Sequence, residues 1–166
     1  GSPSTWAYFR HLHPLLAEIV PQLGAEFLVI GAEHAANPSY PFTYRTWEES
    51  REVADIQAMD IGIMPLPDAD WARGKCGYKL IQYMACGLPV VASPVGVNTD
   101  IVEHGVNGFL ATTDAEWRTA LETLASDAEL RKRMGAAGRA RVKQAFATSH
   151  HGRRLAQTLR DWCNQL

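Results

Sequence analysis

Apolar positions recur along this chain with two different periods, and each change of period marks an element. Trp6, Phe9, Leu12, Leu16, Ile19, Val20 and Leu23 fall at three- and four-residue spacing, the stripe of an amphipathic helix. Thr5 stands where it can cap that helix, and Pro14 is placed to kink or divide it, because proline removes an interior hydrogen bond. Phe27 to Gly31 is then a short apolar run closed by glycine, which predicts a buried parallel strand. After a loop at 32–41, residues 42–47 predict an edge strand, and 48–59 a helix with Val53 and Ile56 turned inward. Residues 60–65 predict another buried strand, followed by a turn-rich loop to Asp70.

The next pattern is a helix opening near Gly77. Its apolar stripe is Leu80, Ile81, Met84 and Ala85, and its polar stripe is Lys79, Gln82 and Tyr83. Short strands at 90–93 and 108–111 flank a brief helix over 99–104 with Asn98 as its candidate cap. Helical spacing then dominates: Trp117, Leu121 and Leu124; Leu130 and Met134; Leu155, Leu159 and Trp162. Strands spaced by helical patterns imply right-handed βαβ units, hence an α/β, Rossmann-like, doubly wound parallel sheet. We read residues 1–166 as one domain.

Such a sheet usually has its first strand in the centre, yet this chain opens on a turn and a helix. The first strand is therefore expected to be missing, either because it belongs upstream in a longer parent or because Gly1-Ser2 is a cloning remnant. An unpaired apolar sheet edge would offer a route to dimerisation.

Composition narrows the partners. With 46% hydrophobic and 20% charged residues the chain has the make-up of an ordinary globular domain. A net charge of −2 with interspersed signs argues against nucleic acid or an anionic membrane as the main partner. The three cysteines, Cys76, Cys86 and Cys163, have neither disulfide nor zinc spacing, which fits a reducing cytoplasm. No apolar run approaches the roughly 20 residues of a membrane span, although a membrane-associated parent stays open.

The chemistry concentrates between Gly74 and Asn98. In an open parallel sheet ligands bind outside the carboxyl ends of the strands. The unpaired N–H groups and dipole of a helix N-terminus favour an anion there. Gly74 and Gly77 would let the backbone come close, and Lys75 and Lys79 add positive charge in the same place. A phosphate or diphosphate is the implied ligand, with Gln82 set to hydrogen-bond a sugar hydroxyl; the plainer alternative is a solvated connection.

The run Gly77-x-Lys79-x-x-Gln82-Tyr83-Met84-Ala85-x-Gly87-x-Pro89-Val90-Val91-Ala92-Ser93, with Gly96, Asp100-Ile101-Val102 and Gly105-x-Asn107-Gly108-Phe109-Leu110, resembles the donor-binding half of GT-B glycosyltransferases of family 4. The resemblance implies retaining, metal-independent transfer of a sugar from a nucleotide-diphosphate donor, with no cofactor. It also implies a separate N-terminal domain for the acceptor. It places Gly1, Ser2, Gly74, Gly77, Tyr78 and Gln82 at the donor. Two family glutamates, one touching the transferred sugar and one the ribose, correspond to Gly74 and Gln82, so both carboxylates are absent here. A branch of the family resembles Lys-x-x-Glu-Tyr-Met-Ala, and Lys79 matches its lysine. Lys75 or Lys79 is thereby the expected charge on the departing diphosphate, where negative charge grows as the bond breaks.

Other positions carry plainer expectations. Arg45 is a candidate for flanking a base, and Trp47 is assigned to the core in preference to base stacking. Asp100 is expected in helix capping, and His104 at a helix C-terminus. His11, His13, His150 and His151 lack the company of metal ligands, and Trp71 and Arg73 are placed to cover the crevice. Two other classes compete with the transferase reading: a non-catalytic nucleotide-sugar-binding or interaction module, and another GT-B enzyme such as a nucleotide-sugar epimerase.

Overall fold

The computed structural model describes residue 6 and residues 8–32 and 42–164; Thr5 and most of the loop at 32–41 lie outside them. After a 3-10 turn at Arg10–Leu12, helix α1 spans His13–Gln22. The division falls just before Pro14, which sits in the first turn of α1, where a missing N–H costs nothing. Strand β1 (Phe27–Ile30) pairs in parallel with β2 (Phe42–Arg45), Phe27 opposite Phe42 and Ile30 opposite Arg45. Helix α2 covers Glu52–Gln57. Strand β3 (Gly62–Met64), the short helix α3 (Asp70–Arg73) and helix α4 (Tyr78–Ala85) follow. Next come β4 (Val90–Ala92), α5 (Asn98–Ile101) and β5 (Gly108–Leu110). Helices α6 (Asp114–Ser126), α7 (Ala128–Ala145) and α8 (Thr148–Cys163) complete the order.

Alternation along the strands builds a three-layer molecule, because successive side chains leave opposite faces. From β4, Val91 enters a core with α1 and α6, built on Leu16, Ile19, Trp117 and Leu124. Its neighbours Val90 and Ala92 enter a second core with Leu80 and Met84 of α4, Ile101 of α5 and Val142 of α7. All three β4 residues are fully buried. Helix α7 meets α4 so closely that a Cβ at Gly135 would lie 1.8 Å from the carbonyl oxygen of Gly87.

Among the described residues every strand pair is parallel, in two sheets of order β1–β2 and β3–β4–β5. Laid side by side they correspond to the order 3-2-1-4-5-6 of a doubly wound fold, with no strand at position 1 among the described residues. Residues of both β1 and β3 line one cavity of about 1120 Å³ at that break.

Several local expectations are corrected. In α2, Val53 is 61% exposed, while Asp55 and Ile56 are buried. The 3-10 turn at Glu49–Arg51 shifts the phase of the short helix it leads into. In α4, Ala85 is exposed. Tyr83 leaves the polar stripe and lies on β3, where a Cβ at Gly62 would meet its ring at 2.4 Å. The helix expected over 99–104 is only Asn98–Ile101. Buried Asn107 accepts from the Glu103 N–H at 2.9 Å and donates to the Ile101 carbonyl at 3.2 Å, drawing the chain out of the helix. Asn98 caps nothing; its amide donates to the Ser93 carbonyl at 3.0 Å. Helix α8 carries its apolar residues on the surface, with Leu155, Leu159 and Trp162 all more than half exposed.

Candidate functional site

Three segments meet outside the carboxyl ends of the strands: the end of β2, the start of α2 and the loop that opens α4. Gly77 is the N-cap of α4 and is left-handed, at φ 66°. A Cβ there would lie 2.3 Å from Cδ1 of Ile101, so glycine is required by the turn and by packing on α5. At Gly74 a Cβ would meet only the Trp71 and Asp70 carbonyl oxygens, at 3.7 and 3.9 Å. Glycine at these two positions is thus explained differently from the sequence expectation. Gly77 is closed by the core behind it, and Gly74 has room for a side chain.

Lys79 projects from the first turn of α4 and is 46% exposed. Its Nζ donates to Oε1 of Gln82 at 2.8 Å and lies 3.6 Å from Oε1 of Glu52 at the start of α2. Trp47, past the end of β2, donates its indole N–H to the same Glu52 oxygen at 3.2 Å. Hydrogen bonds from Gln82 and Trp47, aided by the Lys79 ammonium, hold the Glu52 carboxyl below the usual carboxylate range. Trp47 is half exposed, which corrects its assignment to the core: its N–H has a carboxylate partner, and the ring stays at the surface.

Lys75 places its ammonium over the Tyr8 ring, 5.4 Å from the centroid. Arg45 is committed elsewhere. It forms a 2.6 Å ion pair with buried Asp55 and so ties the end of β2 to α2. Tyr78 is largely exposed, whereas burial pushes the Tyr83 hydroxyl up to about 12. Arg45, Gly74, Lys75, Gly77, Tyr78 and Lys79 all line the cavity between β1 and β3, together with Trp47 and Glu52. Gln82 joins it through its contacts with Lys79 and Glu52. Gly1 and Ser2 lie outside the described residues.

Glu52 is the site residue that sequence reasoning missed. Its signal was its place: it opens the helix after β2, at the same end of the sheet as the start of α4. Other expectations resolve as structure. The His104 ring accepts from the Leu110 N–H at 3.1 Å, beyond the end of α5 and not at its C-terminus. Asp100 is exposed in the first turn of α5. Buried His13 sits among Trp6, Phe9 and Phe42. Burial lowers its pKa, and Arg10 and His11 lower it further. Trp71 and Arg73 do not line the cavity, and Arg73 pairs instead with Asp68 at 2.7 Å. Among the described residues no three His, Cys, Asp or Glu side chains converge as a metal site.

The arrangement offers ammonium groups and a helix N-terminus for an anion, beside a carboxylate–amide pair for hydroxyls. Residues 7–127, well over half of the chain, match the family model described as Glycosyl transferases group 1. The chain belongs to this family. It is similar to the human alpha-1,3/1,6-mannosyltransferase ALG2, with 39% identity over 67 residues, 40% of this chain and 16% of that protein. In three dimensions it resembles Anabaena Alr3699/HepE, whose structure is a complex with UDP and glucose. That likeness has a TM-score of 0.73 and 22% identity, covering 92% of this chain and 44% of the other. It also resembles the C-terminal domain of a group 1 family protein (LpcC) from Francisella tularensis. Here the TM-score is 0.54 at 19% identity, covering 87% of this chain and 65% of that one. The chain spans less than half the length of the mannosyltransferase and of HepE. In keeping with this family it has the GT-B half-domain fold, with its two parallel sheets between helical layers. Among its described residues no helix is long and apolar enough to cross a membrane.

Proposed function

We propose that this chain is the donor-binding half of a retaining, metal-independent glycosyltransferase, acting in the cytoplasm on a nucleotide-diphosphate sugar. The observation that carries the reading is the carboxyl-end mouth of the cavity between β1 and β3, where Lys75 and Lys79 flank the N-terminus of α4. The diphosphate lies at that terminus, held by backbone N–H groups without intrahelical acceptors and by the two ammonium groups. Its neutralisation favours departure of the nucleotide as the sugar is transferred. The acceptor is held by a separate N-terminal domain, so the chain alone transfers no sugar; turnover with any acceptor would overturn that part of the reading.

Calorimetry with nucleoside diphosphates tests the rest. Lys79→Ala is expected to weaken the best of them about tenfold, the scale of a charge-assisted hydrogen bond. Lys132→Ala, whose ammonium pairs with Glu129 on the exposed face of α7, should stay within about twofold. Equal affinities in the two variants contradict the role of Lys79. A second reading, a module without transfer chemistry, is favoured by Gly74, where a longer side chain fits and no carboxylate stands. In that case the chain ignores nucleoside diphosphates altogether.

A further inference from the structure

The geometry points to Glu52 as the group that binds a ribose hydroxyl of the nucleotide, a role that rests on the donor-binding reading above. Four carboxylates line the large cavity: Glu26, Glu52, Asp55 and Asp60. Glu26 and Asp60 precede β1 and β3, at the amino ends of the strands and away from the opening of α4. Asp55 is buried and already accepts from Arg45 and Arg51. Glu52 alone of the four stands at the carboxyl end of the sheet with its side chain partly open, at 26% exposure.

Its surroundings suit a ribose hydroxyl. A carboxylate is an acceptor with about four lone-pair sites. Trp47 and Lys79 both lie on Oε1 and Gln82 is a third donor, so one acceptor site remains for a ribose hydroxyl. The contacts to Trp47, Gln82 and Lys79 also fix the carboxyl group and keep it ionised. A sugar seated there lies beside Lys79, on the turn of α4 where the diphosphate is held. Ribose and diphosphate are thus read by neighbouring groups, and the carboxylate comes from α2 where α4 offers only the amide of Gln82.

The test is calorimetry of the whole 166-residue chain with ADP, GDP, UDP and CDP and with their 2′,3′-dideoxy counterparts. The tightest ribonucleotide should bind about tenfold or more above its dideoxy form. Glu52→Gln should shrink that ratio to about twofold while leaving the dideoxy affinity unchanged, since one oxygen acceptor and its charge are lost and the diphosphate contacts stay. The wild-type ratio needs no variant, and a ratio near one overturns the assignment. So does a Glu52→Gln variant that keeps the full ribose preference. Failure of every nucleoside diphosphate to bind the wild-type chain brings down the donor-binding reading itself, and this assignment with it.

Discussion

Strands β1 and β4 have the same signature, a short apolar run closed by a turn, yet they end in different environments. Val90, Val91 and Ala92 of β4 have a strand on either side and are fully buried. Phe27 to Ile30 of β1 have one neighbour and are all only partly buried. Composition sets the tendency of a segment to become a strand. Its burial is set by how many edges are covered, and that depends on the rest of the sheet. The β3–β4–β5 region with α4 and α7 is the deeply buried block of the molecule; the β1–β2 ribbon is held by α1 and by the Arg45–Asp55 pair.

The contrast can be broken most forcefully at Gly135. Its substitution by alanine drives a methyl group into the Gly87 backbone and is expected to cost more than about 3 kcal/mol, as backbone on both sides leaves little room to relax. Urea denaturation would measure it, and a loss below about 1 kcal/mol would mean that α7 and α4 slide apart freely. A paired comparison sharpens the point. Leu80→Ala in the block should lose about 3 kcal/mol, with a fully buried side chain removed. Leu28→Ala in half-buried β1 should lose about 1 kcal/mol, in proportion to the area it hides; equal losses would erase the distinction.

A smaller effect is expected at the entry to α6. Thr113 accepts from the Glu116 N–H at 3.2 Å, and Glu116 accepts in return from the Thr113 N–H at 2.9 Å. Thr113→Ala should cost about 1 kcal/mol. The backbone hydrogen bonds of Thr113 and Thr112 depress the Glu116 pKa. Its contribution is therefore complete above the ordinary carboxylate range and lost as the pH falls through the lowered folded value. Glu116→Gln should flatten that acid limb of the melting-temperature profile, and an unchanged limb would assign the acid sensitivity to other carboxylates.

Much of this was legible in the sequence. The buried strands announced themselves because Val90-Val91-Ala92 and Ile61-Gly62-Ile63-Met64 are apolar runs between turns. What escaped depends on phase or distance. Val53 was placed inward in error because a single 3-10 turn leads into a six-residue helix and shifts its phase. Glu52 escaped because its partners Lys79 and Gln82 are distant in sequence and meet it only when two βα loops converge. Trp47 looked like core because indoles usually are, and nothing local showed that a carboxylate would receive its N–H.

Helix α4 has eight residues, about 12 Å of rod. Its far end is gripped where α7 lies backbone to backbone on the Gly87 turn, with Gly138 seated against Met84. Lys79 in the first turn and Gln82 in the last therefore stand on a strut held at both ends, by Gly77 against Ile101 in front and by α7 behind. A perturbation along α7 would reach them as a tilt of the whole strut, moving ammonium and amide together relative to Glu52, which stands on a different mount.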